Sequence, residues 1–161
     1  MNTIARAAAG AAAVAAILAA AAPAAAAPTS SNQVSWGPLS SPGKGARAVG
    51  TIHAAGEDYA VIPAAAQLTV SGTVTDRIRA GSVCGWAVFN IATVNTAGNR
   101  VNWTRHPVRT CAYRTPKRFS FTYHRVYQVE LKVCAGARTK EPSIQCTAGN
   151  PAWTDLYTSP H

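Results

Sequence analysis

Between Ala46 and Tyr157 the chain repeats one pattern: an apolar or small side chain, then a polar one, in short runs broken by turn-forming residues. In Leu68-Thr69-Val70-Ser71-Gly72-Thr73-Val74-Thr75 the apolar and small residues fall at even positions and the polar ones at odd positions. Alternate side chains of an extended chain point to opposite faces, so this pattern describes a strand with one packed and one wetted face. A helix needs apolar residues three and four apart, and no segment after residue 27 has that spacing. Only Pro63-Ala64-Ala65-Ala66 looks helix-friendly, enough for a single turn.

The same reading places the other strands. Ala46–Ala54 alternates more loosely. Val83–Val94 carries Trp86, Val88, Phe89 and Ile91 and is apolar on both faces, as a central strand must be. Asn95–Asn99 has turn composition, and Arg100–Thr104 leaves it as the partner arm of a hairpin. Phe119, Phe121 and Tyr123 alternate with polar residues, as do Tyr127, Val129, Leu131 and Val133. Ile144–Thr147 and Trp153–Tyr157 suit short closing strands. The expectation is all-β: an antiparallel β-sandwich of about seven to nine short strands, with a small β-barrel as the alternative.

The first 27 residues have another character. One arginine, an alanine-rich apolar run and Ala25-Ala26-Ala27 before Pro28 follow the order of a secretory signal peptide. Cleavage there is favoured over retention as a membrane anchor, because alanine is weakly apolar and Pro23 interrupts the run. The expected organisation is a leader over 1–27, a partly flexible N-terminal arm over 28–45 with Trp36 as its first docking residue, and one domain over 46–161. No stable membrane insertion is expected after cleavage, and the product is extracellular. In that compartment Cys84, Cys111, Cys134 and Cys146 read as disulfides, because none lies in a C-x-x-C pair. Four cysteines permit three pairings. Cys84–Cys111 and Cys134–Cys146 are favoured: the first ties the central strand to the segment after its hairpin partner, the second closes the loop Gly136–Pro142. On loop entropy each bridge would contribute roughly 3 kcal/mol.

Without the leader the chain keeps 14 basic and 6 acidic residues. Twelve of the basic residues lie between Arg77 and Lys140, where Glu130 is the only acid. Such a field attracts polyanions and weakens with salt. Catalytic signals are lacking. His53, His106, His124 and His161 lack metal-ligand spacing, and there is no G-x-S-x-G. No catalytic residue, metal or cofactor is assigned. Glu57-Asp58 and Asp76 read as turn residues. Glu130, His124 and Arg125 resemble the base, acid and phosphate holder of a secreted nuclease, if His124 and Glu130 share one continuous strand face. Trp103, between Arg100 and Arg105, either packs in the core with the arginines opposite or stands exposed to stack on a sugar or base. Arg118 and Lys132 occupy polar positions of their strands and are expected on one solvent face. Arg138 and Lys140 mark the tip of the second disulfide loop, where an inhibitor would present a basic residue to a protease.

With the alanine-rich leader, Trp36, Leu68–Thr75, Cys84-Gly85-Trp86, Trp103 and Cys111 together, the chain resembles a group of small secreted actinobacterial proteins. The resemblance implies export and a disulfide-linked β-fold and nothing catalytic. The expected function is a secreted, non-enzymatic binding protein for a cell-wall or other polyanionic or carbohydrate surface. The alternatives are an inhibitor of a secreted hydrolase and a secreted nuclease. The partners in view are an acidic polymer, a carbohydrate or a secreted protein.

Overall fold

A computed structural model describes residues 32–142, 146 and 152–160. Eight strands form two antiparallel four-stranded sheets. The strands are β1 (Asn32–Ser40), β2 (Ala46–Glu57), β3 (Ala65–Asp76), β4 (Val83–Val94), β5 (Val101–Thr110), β6 (Lys117–His124), β7 (Val126–Ala137) and β8 (Thr154–Thr158). The first sheet has the order β1-β2-β3-β6 and the second β5-β4-β7-β8. The chain crosses between sheets after β3, β5 and β6, and the result is a sandwich rather than a closed barrel.

Alternation decides what each strand buries. From the first sheet, Ile52, Leu68, Val70 and Val74 point inward; from the second, Phe89, Ile91, Leu131 and Val133 meet them. Phe89 is fully buried and touches the rings of Trp36, Phe119 and Phe121, with centroids 6.0, 5.4 and 5.0 Å away. Gly50 and Gly72 face each other across β2 and β3 and make room for two of these rings. A methyl group on Gly50 would lie 2.0 Å from the Ser71 carbonyl and 2.5 Å from the Trp36 ring.

The central strand β4 is apolar on both faces, as its sequence implies. Its outer face carries Cys84, Trp86 and Val88, which form a second cluster with Cys134 and Cys146 and are flanked by Cys111 and Trp153. The disulfides are Cys84–Cys111 and Cys134–Cys146, the favoured pairing. The second holds Cys146 against the outer face of the second sheet.

Two local expectations change. Asn32–Ser40, within the stretch read as an arm, is the edge strand β1, which shifts register between Trp36 and Leu39. Trp36 docks as expected, and it is the only fully buried side chain of β1, so no alternation marks the strand. The alanine patch is not helical: Ala65 begins β3, and the one helical turn among the described residues is Pro42–Lys44. The closing strand expected at Trp153–Tyr157 is β8, while that at Ile144–Thr147 and the leader at 1–27 lie outside the described residues.

Replacing Gly50 by Ala should cost about 2–3 kcal/mol in a urea titration, because the added methyl group overpacks backbone and indole together. Gly81→Ala, where a methyl group meets nothing within 4 Å, should stay within about 0.5 kcal/mol.

Candidate functional site on the outer face of the second sheet

Trp103 is 51% exposed and lies on the outer face of the edge strand β5. Register explains this. Phe89 pairs with His106 and Ala87 with Val108, so the even-numbered residues of β5 turn inward. Trp103, Arg105 and Pro107 therefore turn outward, and Arg105 shares the face of Trp103 rather than opposing it.

Two cross-strand rows run from this edge. In one, Trp103 pairs with Ala92, Ala92 with Gln128 and Gln128 with Thr158. In the next, Arg105 pairs with Asn90, Asn90 with Glu130 and Glu130 with Asp155. Ala92 is buried, so it forms a low apolar floor beside the indole. Asn90 Nδ2 donates to Glu130 Oε2 at 3.1 Å, which fixes both side chains. Arg105 lies 3.7 Å from the Glu141 carboxylate, and both side chains are partly exposed. An exposed ion pair of this kind contributes little and leaves the guanidinium able to exchange partners. Arg100 is exposed at the turn-side end of β5. The arrangement is a flat aromatic platform beside fixed amide and carboxylate groups. It suits a ligand with one apolar face and a rim of hydroxyls.

The other sequence candidates divide. Arg118 is exposed, as expected, on the outer face of the first sheet. Lys132 is not: it is 5% exposed, with Nζ 4.8 Å from the centre of the Trp153 ring. The polar face of β7 is covered here by Trp153, so alternation gave the correct face and the wrong environment. Arg118 and Lys132 also belong to different sheets. His124 and Glu130 do not share a strand face. They stand on β6 and β7, on the opposite outer faces of the sandwich. Arg125 between them donates to the carbonyls of Val94 and Asn95, at 3.0 and 2.7 Å. The nuclease triple therefore does not converge. Arg138 and Lys140 are exposed, but the backbone around them is held down: Arg138 N donates to Ser82 O, its carbonyl accepts from Arg109, and Pro142 is buried. Asp58 caps its turn by accepting from Ala60 N at 3.0 Å. Among the described residues no group of His, Cys, Asp and Glu is placed to hold a metal.

Sequence reasoning missed His106. It stacks on Phe121, with centroids 3.9 Å apart, and its Nδ1 lies 3.2 Å from the Tyr123 hydroxyl. Burial holds its pKa below the ordinary 6.5. Its position on the inner face of β5 follows only from the register with β4.

The fold and site define a class: a disulfide-linked, all-β sandwich with an open aromatic face. No family model, no curated protein and no solved structure matches the chain.

Two predictions follow from these environments. Lys132→Ala should destabilise by about 2 kcal/mol, through lost stem packing and the lost contact with Trp153, whereas Arg118→Gln should stay within about 0.5 kcal/mol in the same urea titration. The second concerns pH. The folded pKa of His106 is depressed, so the unfolded chain takes up its proton first. The stabilisation is complete above pH 6.5 and is lost as pH falls through the folded value. The melting temperature should therefore drop below pH 6.5, and the drop should be smaller in His106→Phe.

Proposed function

We propose that the protein is an exported, non-enzymatic binding module whose second sheet holds an anionic polysaccharide of the kind found in cell walls. The observation that carries this reading is Trp103, 51% exposed and directed outward beside Gln128 and the fixed Asn90–Glu130 pair. An indole exposed among polar groups offers a stacking surface at little ordering cost, because only two side-chain torsions are restricted. Sugars present a complementary C–H face, and their hydroxyls meet the amide and carboxylate groups. Arg100, Arg105 and the excess of basic residues favour an acidic polymer over a neutral one.

Export is part of the proposal. It rests on the leader pattern over 1–27 and is supported by two disulfides, which persist in oxidising compartments. Among the described residues no helix is long and apolar enough to cross a membrane. The resemblance to small secreted actinobacterial proteins points the same way.

The test is retention on purified cell wall at several salt concentrations. Trp103→Ala should weaken binding by about tenfold or more, since stacking on one aromatic contributes about 1–3 kcal/mol. Its stability should stay within about 0.5 kcal/mol of the parent. Arg105→Gln should weaken binding less and reduce its salt dependence. Equal retention of the Trp103→Ala variant would remove the reading.

A further inference from the structure

The end of the sandwich away from Trp103 holds three arginines that the sequence pattern did not separate from the general basic excess. Arg77 follows β3, Arg79 lies two residues on, and Arg114 lies between β5 and β6. All three are exposed, and among the described residues none is in an ion pair. Arg77, Arg114 and Thr75 line a cavity of about 450 Å³. Tyr113 stands between Arg79 and Arg114, whose guanidinium carbons lie 5.3 and 5.2 Å from its ring centre. The ring thereby orders two long side chains that solvent would otherwise leave free.

The backbone beneath them is pinned from both sides. Arg114 N donates to Asp76 O at 2.7 Å, and Arg77 N donates to Gly45 O at 2.9 Å. Three residues before Arg114, Cys111 is bridged to Cys84. Asp76 brings a carboxylate to this region. It is 1% exposed and turns inward, and its Oδ1 accepts from Ile78 N at 2.9 Å. It does not reach out to neutralise the guanidinium groups, so the cavity mouth stays positive.

We propose that this cavity is a binding site for a tetrahedral oxyanion, a phosphate or phosphodiester group, held by Arg77 and Arg114 with the Thr75 hydroxyl, while Arg79 adds positive charge from across the Tyr113 ring. Guanidinium forks match such oxygens in paired hydrogen bonds, and several donors from separate segments suit a group with three or four oxygens better than a carboxylate with two. The pinned backbone and the Tyr113 contacts mean that little order remains to be imposed on binding. The site is distinct from the Trp103 face and does not depend on the glycan reading.

The test is titration of the full chain with two probes at low ionic strength, inorganic phosphate and linear polyphosphate, followed by calorimetry. Arg114 has a positive φ of 57°, a conformation that glycine adopts freely, so Arg114→Gly removes the guanidinium without straining the turn. Arg77→Gln with Arg114→Gly should weaken polyphosphate binding by about tenfold or more and lower the salt slope by about two. The double variant Arg138→Gln, Lys140→Gln removes the same charge elsewhere and should change affinity less than about threefold. Trp103→Ala should leave polyphosphate affinity unchanged, which separates this site from the glycan face. Binding of both probes with similar affinity would assign the free anion as ligand; binding of the polymer alone would assign phosphoryl groups carried within a chain. Absence of binding by the parent protein would overturn the proposal, as would equal losses in the two double variants. If Arg77→Gln, Arg114→Gly melts well below the parent, the single variants Arg77→Gln and Arg79→Gln carry the same test, and parental affinity in both would overturn it.

Discussion

Phe89 is the contact on which the two sheets depend. It is fully buried at the centre of β4 and meets Trp36 from β1 and Phe119 and Phe121 from β6. Those strands are the two edges of the opposite sheet, so one ring collects the whole width of the first sheet. Aromatic pairs at these separations contribute about 0.5–1.5 kcal/mol each beyond the area they bury. The arrangement needs Trp36 and Phe119 to lie over the middle of the first sheet, and side chains on β2 and β3 would fill that space. The Gly50–Gly72 pair leaves it open.

The outer face of the second sheet is divided by the same economy of covering material. One end carries a roof formed by Cys146, bridged to Cys134, and Trp153. Trp86, Val88 and Lys132 lie under it. Toward the other end of β4 the roof no longer protects β5, and Trp103 is left in solvent. Two tryptophans on the same outer face thus have opposite fates. Trp86 extends the interior, and Trp103 is the exposed indole on which the proposed binding role rests. The exposed indole is large, flat and restricted by only two torsions, which is why the proposed binding role is placed on it.

How much of this was legible follows from the range of each signal. Period-two alternation is local, so Leu68–Thr75, Phe119–Tyr123 and Tyr127–Val133 read correctly as strands, and the double-sided apolar run of Val83–Val94 read as central. The disulfide pairing was legible for the same reason, since hairpin neighbours are close in sequence. What stayed hidden depends on partners far along the chain. Lys132 occupies a polar position but lies beneath Trp153, and no pattern around Lys132 announces that cover. His124 and Glu130 are six residues apart, but Arg125, at a φ of 54°, turns the chain into the other sheet between them. Asn32–Ser40 was hidden because an edge strand with one fully buried side chain has no period to show. Arg77, Arg79 and Arg114 were visible only as charge; their convergence depends on the bridge between Asp76 and Tyr113, 37 positions apart in the chain.

The two surfaces lie at opposite ends of the sandwich. Trp103 and Thr110 are seven residues apart on β5, which sets the indole about 24 Å along the strand from the arginine end. A small ligand would occupy one end without sensing the other. For a polymer, the first contact makes the second intramolecular, with an effective concentration set by the length and stiffness of the intervening chain. Two modest sites then combine into firm retention, provided that the polymer spans the gap and presents sugar and phosphate at matching intervals. Rigidity of the sandwich matters here. The extended strand β5 sets the separation of the two ends, so under the two proposals a long polymer of suitable repeat would be selected by geometry as well as by charge.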